Sequence, residues 1–152
     1  WNAVVKQLAI GQLVHVDALS RAERLIASSP AEAMRQLIKV FVQVSYEMPA
    51  LANFLMHEMS NPGDRMNILM QRLVMPFRQA CWPILNAAIE SGIIRSTQPD
   101  LLFGMLISAI SMPLAAPALI RPGESLTPEL RDEIEKEAIR LIFRESALKA
   151  SR

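Results

Sequence analysis

The sequence predicts an all-α protein, because apolar residues recur at helical spacing along the chain and no strand-length stretch alternates apolar and polar residues. Hydrophobic residues make up 51% of the 152 residues and charged residues 20%, a balance that excludes intrinsic disorder. A chain of this length builds one well-filled core. We therefore expect one helical domain over residues 1–152, formed by six helices.

Capping residues mark the first three predicted helices, which span residues 2–27, 30–47 and 49–60. Ser29 is expected to cap the second helix by accepting a backbone hydrogen bond, with Pro30 at the first helical position. Glu32 stands where a capping box requires a carboxylate that returns a bond to the amide of Ser29.

The other three helices are predicted at residues 64–91, 97–120 and 127–148. Asp64 is expected to cap the fourth helix, and Gly92 to close it in the left-handed conformation. Pro76 and Pro83 lie inside this helix, so a kink or a break is expected near residues 72–80.

The segment 101–120 carries no charge and must be hidden from water. It is long enough to span a bilayer, but Pro113 and Pro117, the missing Trp and Tyr, and the missing Lys/Arg cluster argue against a membrane span. Small residues recur in it at helical spacing, which suits close approach of a second backbone. We expect the fifth and sixth helices to form a homodimer interface, with a buried helix in a monomer as the alternative. The predicted interface residues are Gly104, Ser108, Ser111, Ala115, Ile134, Ala138 and Leu141.

Several functional classes lack their required residues. A net charge of +1 gives no electrostatic surface for nucleic acid. His15 and His57 lack the spacing of a metal site, and no catalytic or phosphate-binding motif occurs, so we expect neither an enzyme nor a cofactor. Cys81 is the single cysteine, which fits a cytoplasmic setting and a buried, inert thiol.

Nine methionines with few aromatic residues suggest a pocket for an apolar ligand. Methionine is flexible and polarizable, so it lines cavities that accept varied shapes, although simple core filling is the alternative. His57 and Arg78 are the candidate polar groups that orient a ligand, unless they are ordinary surface residues. The predicted ligand-binding residues are Phe54, His57, Met59, Met70, Phe77, Arg78 and Trp82.

Three local features resemble the C-terminal domain of TetR-family transcriptional regulators. They are the Met48-Pro49 helix start followed by the stop at His-Glu-Met-Ser-Asn-Pro, the helix end Ala-Ala-Ile-Glu-Ser-Gly-Ile-Ile-Arg, and the start Gln-Pro-Asp-Leu-Leu of the uncharged helix. The resemblance implies an effector-binding and dimerisation domain whose last two helices form a four-helix bundle with those of a second subunit. It also implies a small apolar or amphiphilic effector that alters operator DNA binding through an N-terminal helix-turn-helix domain. Because the chain opens at Trp1, we expect that domain to precede it.

Two other interpretations stay open. A helical enzyme or a carrier of lipids or other hydrophobic ligands would also use an apolar cavity, and a membrane-associated helical protein would place residues 101–120 in lipid. A helix-turn-helix encoded upstream of Trp1 would separate the regulator from both.

Overall fold

The computed structural model describes residues 1–150, and within them the fold is all-helical. The longer helices are α1 (Asn2–Glu23), α2 (Pro30–Glu47), α3 (Pro49–Met59), α5 (Met75–Glu90), α6 (Pro99–Ala115) and α7 (Pro128–Ile142). The shorter helical segments are α4 (Asp64–Leu69), a π-helical turn (Met70–Val74), a 3₁₀ turn (Pro117–Leu119) and α8 (Glu145–Lys149). The all-α prediction is therefore confirmed, while some boundaries differ.

Helix α2 lies at the centre of the fold and packs against α1, α5, α6 and α7. It is buried on most sides, and Met34, Leu37 and Ile38 are fully buried in the main core. A smaller apolar cluster of Val5, Leu69 and Leu73 lies between α1, α4 and the π turn. One central helix thus joins most of the bundle.

The π turn occupies the region where the sequence predicts a kink or a break. The N–H of Met75 donates to the carbonyl of Met70, five residues earlier, and Pro76 follows at the second position of α5. Proline has no N–H to donate, so a regular α-helix would lose one hydrogen bond at Pro76. The change from α-type to π-type hydrogen bonding just before Pro76 accommodates this missing donor. Helix α5 continues through Pro83 without interruption.

Two of the four predicted capping features are present and two are not. Ser29 Oγ accepts from the N–H of Glu32 at 3.1 Å, and Gly92 adopts a φ of 72°. The carboxylate of Glu32, however, accepts from the side chain of Gln36 at 2.9 Å instead of returning to Ser29. Asp64 is the first residue of α4 and its side chain makes no cap, because Gly63 holds the capping position.

The uncharged segment forms a shorter helix than predicted. Helix α6 ends at Ala115, before Pro117, which begins the 3₁₀ turn. Residues before proline are forced out of the α region, and Ala116 accordingly has a φ of −138° and a ψ of 66°. The expected continuation of this helix to residue 120 is therefore wrong.

The loop after α5 is hydrogen-bonded to the C-terminal end of α7. Ile94 and Phe143 form an isolated antiparallel bridge, and the Arg95 guanidinium donates to the carbonyls of Leu141 and Phe143, each at 2.9 Å. The chain therefore turns at Phe143, whose side chain is fully buried, and the final predicted helix is divided into α7 and α8.

Candidate functional site

An apolar groove of about 560 Å³ lies between α3, the π turn, the start of α5 and α6. Its charged residues are Arg78 and Asp100, and Ser108 and Ser111 supply hydroxyl groups. The other lining residues are Ala52, Leu55, Met56, Met59, Met70, Val74, Phe103, Gly104, Ile107 and Met112. Since drug-sized ligands occupy pockets of roughly 300–1,000 Å³ with mainly apolar walls, the groove has the size and composition of a ligand site.

A smaller chamber of about 60 Å³ adjoins the groove on the side of α1 and α2. One water-sized group needs about 10–15 Å³, so the chamber holds a few such groups. Residues found only in the chamber wall include Gln12, Phe41, Ser45, Met48 and Phe77. Both cavities share the wall residues Ala52, Leu55, Val74, Phe103, Ile107 and Ser111.

Aromatic residues form the rigid part of the chamber wall. The ring of Phe41 meets the rings of Phe77 and Phe103 edge to face, with centroids 5.1 and 6.0 Å apart. This arrangement is favourable for aromatic quadrupoles and holds α2, α5 and α6 together.

Polar contacts in the chamber join α2 and α6. Ser45 Oγ donates to the carbonyl of Phe41 at 2.8 Å and lies 2.9 Å from Ser111 Oγ. Because the single proton of Ser45 is used on Phe41, Ser111 is the donor between the two hydroxyls. Ser111 Oγ therefore keeps only acceptor capacity for a further partner.

Four of the predicted ligand-binding residues line these cavities. Met59, Met70 and Arg78 border the groove, and Phe77 borders the chamber. The Arg78 guanidinium also lies over the ring of Trp82, 4.2 Å from its centroid.

The other three predicted ligand-binding residues lie outside both cavities. Phe54 is half-buried and packs against the two apolar clusters, and the His57 side chain is 78% exposed on α3. Trp82 lies in a separate shallow depression with Arg78, Met75 and Pro83.

The small residues predicted for a dimer interface lie mostly at the groove. Gly104, Ser108 and Ser111 border it, while Ala115 is half-buried. On α7, Ile134 is half-buried, Ala138 is buried in the core of its own chain, and Leu141 is 65% exposed. Part of the α6 stripe that is predicted to contact a second subunit therefore also forms one wall of the groove.

Gln12 and Ser45 line the chamber but are absent from the predicted ligand-binding residues. Gln12 stands in a stripe of α1 whose buried members include Val5, His15 and Leu19. A polar residue on an apolar stripe indicates a group that needs a hydrogen-bonding partner, since burying a polar group without one is unfavourable. Ser45 lies in the apolar part of α2 and gives the same signal.

Residues 1–150 lack the features of two other kinds of site. No helix there is both long and apolar enough to cross a membrane, and no three or more His, Cys, Asp or Glu side chains are grouped to hold a metal ion. Burial raises the pKa of the Cys81 thiol far above its ordinary value, so the thiol stays protonated. Cys81 therefore lacks the thiolate that a nucleophile needs.

Comparison of the chain with models of known protein families gave no match, and comparison with curated proteins gave none either.

Proposed function

We propose that this chain is the effector-binding and dimerisation domain of a TetR-like transcriptional regulator. Its effector is a small, mainly apolar molecule that binds in the groove and the chamber. The observation that carries this proposal is the Met-rich groove of about 560 Å³ beside helix α6, whose residues 101–115 carry no charge. The resemblance of the sequence to the C-terminal domain of this family supports it.

The position of α1 supports a regulatory use of the cavities. By the resemblance, α1 is the helix that connects to the DNA-reading helices, and Gln12 makes α1 part of the chamber wall. An effector in the chamber contacts this helix directly. Because a ligand shifts an equilibrium only by binding one arrangement better, an effector that prefers one position of α1 biases the spacing of the two DNA-reading helices. Successive major-groove half-sites are roughly 34 Å apart, so a shift of a few ångströms weakens operator binding.

The proposal includes a homodimer through α6 and α7. Exposed apolar side chains support it, since Leu101 and Met105 on α6 and Leu141 on α7 are 51%, 65% and 65% exposed. Apolar area of this kind gains free energy when a second subunit covers it.

A thermal-shift screen of amphiphilic aromatic and fatty acyl compounds tests the ligand site. A ligand at a hundredfold excess over its Kd adds about 2.7 kcal/mol to the free energy of unfolding, provided it binds only the folded state. Met70→Trp places an indole in the groove and should abolish the shift. Gln71→Trp changes the exposed neighbouring position and should leave it intact.

The outcomes separate the site from its alternatives. Hits that persist in Met70→Trp would place the ligand elsewhere, and a screen without hits would contradict an apolar effector.

A carrier of hydrophobic ligands would use the same groove, so the coding sequence upstream of Trp1 decides between carrier and regulator. A helix-turn-helix there supports the regulator, and its absence contradicts it.

A further inference from the structure

Gln12 is a buried polar residue of the chamber whose side chain has no hydrogen-bonding partner among the described residues. It is 8% exposed and lines the chamber from α1. Within residues 1–150 its amide makes no side-chain hydrogen bond. Other buried polar residues do have partners: Ser45 bonds to Phe41 and Ser111, and His15 Nε2 lies 3.1 Å from a carboxylate oxygen of Glu47.

An unpaired amide in an apolar core is unfavourable, and native cores pair nearly all such groups. The Gln12 amide carries two donors and an acceptor with two lone pairs. Among the described residues, the fully buried side-chain polar atom without a hydrogen-bonding partner is the Trp1 indole nitrogen. The Gln12 amide also has no partner within residues 1–150, so its polar atoms are not fully buried and keep some accessible surface. That surface is consistent with an amide that faces the chamber.

The chamber wall determines which chemical group can pair with this amide. Among the residues that the structure describes, its lining contains no ionisable side chain, and its polar members are Gln12, Ser45 and Ser111. A carboxylate or an ammonium group placed there would lack a counter-charge in an apolar surrounding. A neutral carbonyl can accept from Gln12, and a hydroxyl can also donate to Gln12 or to Ser111.

We propose that Gln12 determines ligand specificity by binding one neutral carbonyl or hydroxyl group in the chamber, while the apolar remainder of the ligand extends into the groove. This inference rests on the proposed function, because it needs an apolar ligand in these cavities. It adds that the ligand is neutral at its inner end and that α1 recognises it.

Three aromatic probes of similar size test the inference: butyrophenone, butylbenzene and phenylbutanoate. They present a neutral ketone, no polar group and a carboxylate. Labelled methionine methyl groups report binding by NMR, since Met48 lies in the chamber and Met59 and Met70 in the groove. Titration of each probe gives its Kd and shows whether it occupies these cavities.

The parent protein gives the first result. Transfer from water to an apolar surrounding favours butylbenzene over the ketone, so a site without a polar partner binds butylbenzene more tightly. We expect butyrophenone to bind at least as tightly as butylbenzene, and phenylbutanoate to bind at least tenfold more weakly than butyrophenone. The reverse order in either comparison overturns the inference, and it does so without any variant.

Gln12→Leu gives the second result. Loss of one neutral hydrogen bond should weaken butyrophenone binding about three- to tenfold and leave butylbenzene binding unweakened. Gln7→Leu, at an exposed position of the same helix, is the matched control and should change neither Kd.

The failures of the two proposals are distinguishable. Equal binding of butyrophenone by the parent and Gln12→Leu, with the cavity methyl signals shifted, overturns the role of Gln12 and leaves the apolar site intact. Methyl signals that no probe shifts contradict the apolar site itself.

Discussion

Ser45 on α2 and Ser111 on α6 are hydrogen-bonded to each other, with their Oγ atoms 2.9 Å apart at the chamber wall. The two residues are 66 positions apart in sequence, so this contact joins helices that are distant along the chain. A partly buried hydroxyl pair of this kind fixes the relative position of two helices, because the geometry of a hydrogen bond is narrower than that of an apolar contact.

The Ser45–Ser111 pair should show energetic coupling. In a double-mutant cycle with Ser45→Ala and Ser111→Ala, we expect a coupling of about 0.5–1.5 kcal/mol, the usual net value of one hydrogen bond. Urea unfolding of the parent, both single variants and the double variant measures it. Ser108→Ala is the control, since that hydroxyl donates to the carbonyl of Gly104 on its own helix. A coupling near zero would show that the bond contributes nothing net to stability.

Phe77→Ala should destabilise the fold and enlarge the chamber. Phe77 is 7% exposed and packs against Phe41, so its truncation removes an aromatic contact and leaves a cavity. We expect a loss of about 3–5 kcal/mol in the free energy of unfolding. Phe77→Leu keeps most of the volume and should cost less. Equal losses in both variants would show that the aromatic ring, and not the filled volume, is what stabilises this wall.

Cys81 should resist thiol reagents in the folded state. Its pKa is raised by burial, so at pH 8 the native thiol carries almost no thiolate. Modification by an aromatic disulfide should therefore be slow in buffer and fast in denaturant. Rapid modification of the folded chain, with the rate unchanged by denaturant, would contradict the burial.

The same group also makes stability depend on pH. The folded state holds the Cys81 proton above the ordinary thiol pKa of 9.0, whereas the unfolded state releases it. The unfolded state then binds fewer protons than the folded state, so the free energy of unfolding falls as pH rises above 9. In Cys81→Ala this part of the pH dependence should disappear, and denaturant titrations at several alkaline pH values measure it.

Leu141→Glu tests the proposed dimer. Leu141 is 65% exposed on α7, so a glutamate there is harmless in a monomer but places an unpaired charge in an apolar interface. Sedimentation should show the parent as a dimer and Leu141→Glu as a monomer. Leu13→Glu on α1 has a matched exposure of 64% and should remain dimeric. A parent that sediments as a monomer would remove the dimer from the proposal.

The sequence predicted most of the helices because their signals are local. Ser29 and Gly92 act within one turn of the chain, and the structure confirms both. Glu32 was predicted to complete a capping box, but Gln36 lies one turn away and competes for its carboxylate. The end of α6 differs from the prediction because Pro117 forces Ala116 out of the α region, whereas the absence of charge does not determine where a helix ends.

The predicted ligand-binding residues lie on α3, in the π turn and on α5, whereas α6 also borders the groove and α1, α2 and α6 also border the chamber. Met59 and Met70 were found because flexible apolar side chains cluster in that part of the sequence. Gln12 and Ser45 reach the chamber from α1 and α2, and their proximity to α6 depends on packing that no local pattern encodes. Trp82 lies outside the groove, in a depression where the guanidinium of Arg78 covers its ring.

The π turn at Met70–Val74 has a geometrical consequence for the helix that contains it. In an uninterrupted α-helix, residues four apart drift by about 40°, so a run of four such positions spreads over roughly 120° of the circumference. A wider turn removes much of this drift. Leu69, Leu73, Phe77 and Cys81 are such a run, and all four are buried. Because the wider turn takes up about one residue more than an α turn, closing it to α geometry with the same residues would rotate one half of the helix against the other by roughly 100° and move part of this row towards water. The conformation of the turn, as much as the types of its residues, therefore keeps this row aligned.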